Sequence, residues 1–300
     1  MTSAALKPGL FRPNLVRQAQ AWLLLLPALI FLLAFTHLPT VSTVWNSFFS
    51  TSAGTPVDFS TENYQFLLED EVFCQVLDNS FWYAVVTVPA SMALALAMAL
   101  WVNSKLSGKA ALRLAYFTPT ILPMISVANI WLFFYSPEIG LFNQILEWFG
   151  SDGYNWLGDP DLSLPSLMVM TIWKEAGFFM IFYLAALQAI SPELYQAAEI
   201  EGASRFRMLR RITLPLLMPT TLFVLVNAIL NAFKLVDHLF ILTKGGPNNA
   251  SNLLLYYIYE NAFSFFDTAY AAALTVVLLM ILVVLALLQF GVLERRVHYR

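Results

Sequence analysis

Charge is what this sequence has least of. Of 300 residues only 16 are basic and 19 acidic, 12% in all, where an ordinary soluble domain carries about a quarter. A water-soluble globule is therefore not the expected class. The single cysteine, Cys74, has no partner for an internal disulfide, and three scattered histidines without a cysteine cluster supply no recognisable metal set. Redox and zinc chemistry lose their basis. A net charge of -3 and a pI of about 5.6 leave no basic excess of the kind that attracts nucleic acid. Phosphate-cradling glycines are missing as well: Gly108-Lys109 lacks the earlier glycine of G-x-x-x-x-G-K-[ST]. There is also no G-x-S-x-G, no H-E-x-x-H and no membrane-placed pair of aspartates. The chain is not expected to be an enzyme, nor to hold a metal, ATP or another cofactor itself. What fills it is apolar, 59% hydrophobic residues with a mean hydropathy of +0.68. One soluble core cannot hide that much apolar surface, so lipid is the second solvent.

A bilayer core about 30 Å thick takes about 20 apolar residues per helix. Six runs of that kind occur: Ala21 to Phe48, Ser80 to Val102, Leu112 to Phe134, Leu164 to Ile190, Leu214 to Leu235 and Thr268 to Val292. Stretches such as Leu278 to Leu288 are apolar on every face, unlike the alternating strands of a barrel. The predicted fold class is all-α, a polytopic membrane protein with six transmembrane helices. The first span follows a polar segment and lacks a small-residue cleavage site, so it is expected to remain as an anchor.

The flanks orient these spans. Lys7, Arg12 and Arg17, then Lys105, Lys109 and Arg113, then Arg205, Arg207, Arg210 and Arg211, then Arg295, Arg296 and Arg300 lie on one side, thirteen of the sixteen basic residues. Loops 49–79, 135–163 and 236–267 contain only Lys244, together with acids such as Asp58, Glu62, Glu69, Asp70, Glu138 and Asp152. The positive-inside rule puts both termini in the cytoplasm. Trp82 and Tyr83 at one end of the second span and Trp101 at the other fit interfacial belts.

The loop between the fourth and fifth spans carries the strongest local signals. Ser191-Pro192-Glu193 reads as a helix start, with a capping hydroxyl, a proline where no donor is needed and an acid at the positive end of the dipole. The helix runs from Leu194 to Glu201, and Gly202 suits the left-handed turn that ends it. Ser204 can cap a second helix bearing Arg205, Arg207, Arg210 and Arg211 before Pro215 re-enters the membrane. Small Ala197, Ala198 and Ala203 permit close approach, while Tyr195 and Ile200 can anchor the elbow in a groove on a partner. Composition alone reads equally as an interfacial helix lying on lipid.

The run from Gln196 to Pro215, Q-A-A-E-I-E-G-A-S-R-F-R-M-L-R-R-I-T-L-P, resembles the EAA loop of ABC importer permeases. Its glycine and closing Ile-x-Leu-Pro fall at the family's spacing. Two departures are Gln196 where the family has glutamate, which removes a charge, and Glu201 where it has aspartate. Phe182 to Pro192, Thr243 to Pro247, Gly140 to Asn143 and the tail Leu293 to Tyr299 are similar to the carbohydrate-uptake branch, and the tail with Tyr256 to Phe263 looks closest to the glycerol-3-phosphate type. The resemblance implies a type I permease fold: a tail over 1–20, a first helix and outer loop over 21–74, a five-helix core over 75–292 with the coupling loop at 191–215, and a tail over 293–300. It implies that Tyr195, Gln196, Ala197, Ala198, Glu199, Glu201, Gly202, Ala203, Arg207 and Pro215 dock on an ATPase subunit. The implied partners are a second homologous permease, two ATP-binding cassette subunits that carry the ATP and Mg²⁺, and an extracytoplasmic solute-binding protein. The implied setting is the bacterial inner membrane.

Charges within a span are costly and face a cavity or a partner. Lys174 and Glu175 sit mid-way along the fourth span, lining a pathway or packed as a structural pair. On the fifth, Asn227, Asn231, Lys234 and His238 recur every three or four residues on one face, with Asp237 beside it. Such a stripe lines water or bonds another helix. With Trp131, Phe178 and Phe233 it can offer a sugar or polyol amides and aromatic faces. Pro119 and Pro123 allow a kink in the third span. Lys244-Gly245-Gly246-Pro247 reads as a solvated outer turn, and in the resembled family outer loops meet the binding protein. The expected function is a permease subunit of an ATP-driven sugar or polyol importer. Glycerol-3-phosphate or glycerophosphodiester import and an ion-coupled carrier are the alternatives.

Overall fold

The computed structural model describes residues 15–52, 55–104, 109–289 and 291. Lys7, Arg12, Lys105, Arg295, Arg296, Arg300 and the tail motif from Leu293 lie outside the described residues. In chain order the elements are α1 (Leu15–Leu32), α2 (Leu38–Asn46), β1 (Phe49–Ser52), β2 (Thr55–Phe59), α3 (Glu62–Glu69), α4 (Glu71–Asn103), α5 (Lys109–Ile121) and α6 (Met124–Phe134). There follow α7 (Leu141–Trp148), α8 (Pro160–Ala189), α9 (Pro192–Ile200), α10 (Arg205–Met208), α11 (Leu214–Leu216), α12 (Met218–Lys234), α13 (Asp237–Leu242), α14 (Leu254–Tyr259) and α15 (Thr268–Leu288). Short π-helical turns join α1 to α2, α10 to α11, and continue α14. Among the described residues five helical stretches are long and apolar enough to cross a membrane, and a bent pair makes a sixth crossing if counted as one span.

Among the described residues the one departure from an all-helical chain is the antiparallel hairpin β1–β2, with Phe49 opposite Phe59. The Asn63 side-chain amide donates to the carbonyls of Ser47 and Phe49 at 3.1 and 2.8 Å, which fixes α3 to the hairpin.

The central helices are α4 and α8. Asp70 caps α4 by accepting the Val72 N–H at 2.9 Å, and Asp159 caps α8 with Pro160 in its first turn. Small Ser91, Ala95 and Ala99 recur every fourth residue of α4 and bring it close to Ala176, Phe179, Met180 and Tyr183 of α8. Leu217, Val224 and Ala228 complete that core. In lipid this core is held by close packing and polar ties rather than by exclusion of water. The first span stands at the edge of the bundle: α2 rests on α15, and the faces of α1 and α2 are otherwise exposed.

Two expected spans are not single straight helices. The third, Leu112 to Phe134, is α5 and α6 meeting at 102°. Pro123 has no N–H to continue the ladder and biases Leu122 away from the helical region, so the chain turns there instead of merely kinking. The fifth is interrupted at Leu217, between α11 and α12; α12 ends at Lys234, close to the expected Leu235, and α13 continues the apolar stretch from Asp237. Tyr83, expected in an interfacial belt, is fully buried. Its hydroxyl shares a hydrogen bond with Thr171 at 2.6 Å and reaches His238 Nε2 at 3.1 Å, tying α4, α8 and α13 together. Trp82 and Trp101 remain exposed.

Candidate functional site

Two constellations stand out: an elbow between α8 and α12, and an open cavity with polar side chains in its lining beside the α5–α6 break. The elbow follows its sequence signals closely. Ser191 Oγ accepts the Glu193 N–H at 3.3 Å, and α9 runs to Ile200. The chain then turns through Gly202 at φ +74°. The Gly202 N–H donates to Glu199 O at 3.0 Å and the Ala203 N–H to Ala198 O at 2.9 Å, the paired bonds that close a helix through a left-handed residue. Ser204 Oγ accepts the Arg207 N–H and starts α10. Tyr195 Oη meets Thr213 Oγ1 at 3.0 Å, locking α9 against the base of the next span.

The elbow is thereby a rigid, doubly capped piece with Ala198 buried on its inner side. Gln196, Ala197, Glu199, Glu201, Gly202, Arg207 and Pro215 are exposed and Ala203 half-buried. Tyr195 is half-buried, with its hydroxyl engaged in the lock to Thr213. The exposed apolar anchors are Leu194, Ile200 at 88% and Phe206 at 72%. Phe206 was missed because its flanking arginines read as topology signals.

The cavity, about 250 Å³, is lined by Thr120, Lys174, Glu175, Phe178, Asn231 and Leu235. Asn231 Nδ2 donates to Glu175 Oε2 at 2.7 Å, so α12 and α8 are bridged by a charge-assisted bond. Lys174 makes no ion pair with an acid among the described residues. Its Nζ donates to the backbone carbonyls of Pro119 at 3.0 Å and Leu122 at 2.9 Å. Phe178 packs edge-on to Phe182 with its ring centroid at 5.2 Å. Of the residues expected along a pathway, the structure therefore gathers Lys174, Phe178 and Asn231, and adds Thr120 and Leu235.

The others lie elsewhere. Asn227 bonds the Phe223 carbonyl of its own helix. Phe233 faces an apolar groove with Leu77, Phe81, Pro89 and Ile281. Trp131 belongs to an aromatic cluster with Tyr135, Phe142 and Trp173. Lys234 and Asp237 are exposed at the ends of α12 and α13, and His238 turns to Tyr83. Leu235 and Val236 interrupt the helix before His238 and take it off the stripe, whereas Asn227 and Lys234 share the continuous helix with Asn231 and still do not line the cavity.

The Lys244–Pro247 turn is not a slack solvated loop. Gly245 is buried, Ser251 Oγ donates to Gly246 O at 2.6 Å, and Gln75 and Asn79 of α4 donate to the carbonyls of Asn248 and Asn249. Lys244 and Asn248 remain exposed. No three of His, Cys, Asp and Glu cluster among the described residues.

Residues 91–299 match the family described as "Binding-protein-dependent transport system inner membrane component". The chain belongs to that family. Both the elbow and the cavity lie within the matched part. Among curated relatives of this inner membrane component, the sulfoquinovosyl glycerol transport system permease protein SmoG of Agrobacterium fabrum is 34% identical, covering 86% of this chain and 85% of that one. The sn-glycerol-3-phosphate transport system permease protein UgpA of the same organism is 31% identical, covering 93% and 96%. Among solved structures, a chain of a bacterial ABC transporter that imports the acidic polysaccharide alginate superposes with a TM-score of 0.85 at 25% identity, covering 94% and 97%.

Proposed function

We propose that this chain is one half of a permease pair that moves a sugar or related polyol inward by alternating access, driven by ATP on two separate ATP-binding cassette subunits. A second homologous permease and an extracytoplasmic solute-binding protein complete the importer, and ATP with Mg²⁺ binds on the ATPase subunits. Both termini face the cytoplasm, as the basic residues of the elbow and tails favour. The observation that carries the proposal is the elbow: two caps and the Tyr195–Thr213 lock make it stiff, so a push on Ile200 and Phe206 reaches α8 and α12 undiminished. Closure of the ATPases displaces α9, and the bundle shifts between states that open to opposite sides.

The cavity supports an uncharged cargo. Phe178 offers a face to sugar C–H groups, and Asn231 and Glu175 offer acceptors for hydroxyls. Lys234 lies off the cavity, and Lys174, the one cation in its lining, is already engaged with two backbone carbonyls. Glycerol-3-phosphate or a glycerophosphodiester carried by the same mechanism is the second reading, favoured by the kinship with UgpA. The test is uptake into proteoliposomes holding the full complex, with a thermal-shift screen of the cognate binding protein against sugars and glycerol phosphates. Uptake is expected to stop when ATP is withheld and to survive an ionophore. The reverse pattern refutes ATP coupling and leaves an ion-coupled carrier. Stabilisation by glycerol phosphates alone refutes the uncharged cargo.

A further inference from the structure

Pro123 has no N–H, so the carbonyl four residues earlier, that of Pro119, loses its helical donor. The turn at this point also strands the carbonyl of Leu122. Within an apolar layer a carbonyl left without a donor is strongly unfavourable. Lys174 supplies both missing donors from a different helix, at 3.0 and 2.9 Å. An ammonium in that position is itself costly, so its presence calls for a task. Two further observations mark the same junction. Three residues along α8, a Cβ added at Gly177 would run into the Tyr116 carbonyl, so α5 is seated on α8 backbone to backbone. Thr120 Oγ1 is buried there without a partner, a group that a second arrangement of the junction can satisfy.

We propose that Lys174 is a positioning residue that ties the α5–α6 break to α8, so that displacement of the elbow changes the bend between α5 and α6 and with it the wall of the cavity. The tie suits that work because α8 runs unbroken from Pro160 to Ala189 and meets α9 across Ile190 and Ser191. A motion entering at the elbow travels along a rigid rod to the residue that holds the broken helix. The proposal rests on the coupling role given to the elbow above.

The test uses the complete complex with its ATPase subunits in a Cys74→Ser background, which frees the chain of its single cysteine. Spin labels replace Leu114 on α5 and Phe133 on α6, both exposed. Their distance distribution is measured without nucleotide and after trapping with ATP and vanadate. The parent and Lys174→Arg, which keeps the donors, are expected to shift on trapping. Lys174→Met is expected to give one distribution in both conditions. Should Lys174→Met fail to assemble, the double variant with Pro123→Ala restores a backbone donor to the Pro119 carbonyl and is expected to assemble without responding. A parent-like shift in Lys174→Met or in the double variant, or loss of the shift in Lys174→Arg, overturns the proposal. A parent that does not respond overturns the proposal as well, whereas a complex that does not hydrolyse ATP is the separate failure of the ATP-driven reading on which it rests.

Discussion

Replacing Gly202 separates two costs that the elbow combines. Its φ of +74° lies in the left-handed region, which costs an ordinary L-residue about 1–2 kcal/mol. An added Cβ meets nothing of this chain within 4 Å, so inside the subunit Gly202→Ala carries that backbone strain and no clash. At about 1.4 kcal/mol per factor of ten, the capped elbow should lose roughly 5- to 30-fold in population relative to its open form. Gly202→Asn should lose far less, because asparagine visits the left-handed region readily. Gly202→Leu carries the same strain as alanine within the subunit, and beyond it a side chain thrust into whatever docks on the exposed apex. Hydrogen exchange at the Ala203 amide, which closes the helix onto Ala198 O, reports the first cost in the isolated subunit. Exchange should accelerate equally for alanine and leucine and little for asparagine. Co-purification of ATPase subunits reports the second: near parental for asparagine, reduced for alanine, abolished for leucine. If leucine docks as well as alanine, the apex does not face the ATPase. If asparagine exchanges as fast as alanine, the left-handed strain is not what holds the turn.

Two further perturbations test the frame around the sites. Asp70 Oδ2 accepts the Tyr257 and Tyr270 hydroxyls at 2.7 and 2.6 Å, clasping the start of α4 to α14 and α15. Burial pushes its carboxyl up, but the bonds from Tyr270, Tyr257 and the Phe73 and Val72 N–H groups outweigh that and hold it below the ordinary 3.8. A depressed folded value means that the clasp contributes in full above pH 3.8 and is lost only as pH falls through the folded value. Hydrogen exchange over residues 254–270 should stay protected down to that range, Asp70→Asn should remove the acid step, and loosening already at neutral pH would refute the assignment. Gly177→Ala drives a methyl into the Tyr116 backbone and should lower stability by about 1–3 kcal/mol in thermal unfolding of the nanodisc-held subunit, whereas an unchanged melting temperature shows that α5 is not seated on α8 there.

What the sequence made legible was local. The apolar runs found the spans because about 20 consecutive apolar residues have few other uses. The elbow was legible to the residue because Ser191, Gly202 and Ser204 each act on backbone groups no more than five positions away. The hairpin between α2 and α3 was not, since its strands are short and do not alternate cleanly. Pro119 and Pro123 showed that the third span would bend, but not that it would turn by 102°, since a proline removes a helical bond without setting the angle, and the Lys174 donor at the break comes from another helix. Of the polar stripe on the fifth span only Asn231 reaches the cavity: a shared helical face does not say which of its turns meets another helix, and Leu235 and Val236 interrupt the helix before His238.

Lys174 shows why pairing within a membrane cannot be read from one helix. In water, a lysine beside a glutamate needs no explanation. In an apolar layer each must find a partner, and two neighbours in sequence point about 100° apart on a helix. Glu175 found Asn231 on α12, and Lys174 found not an acid but two carbonyls on the far side of α8. The sequence did contain the cue, because Pro123 guarantees an orphaned carbonyl within the span and Lys174 is a buried donor in the helix against which α5 packs. A proline-broken span and an unpaired membrane lysine are two halves of one requirement, and each is a reason to look for the other.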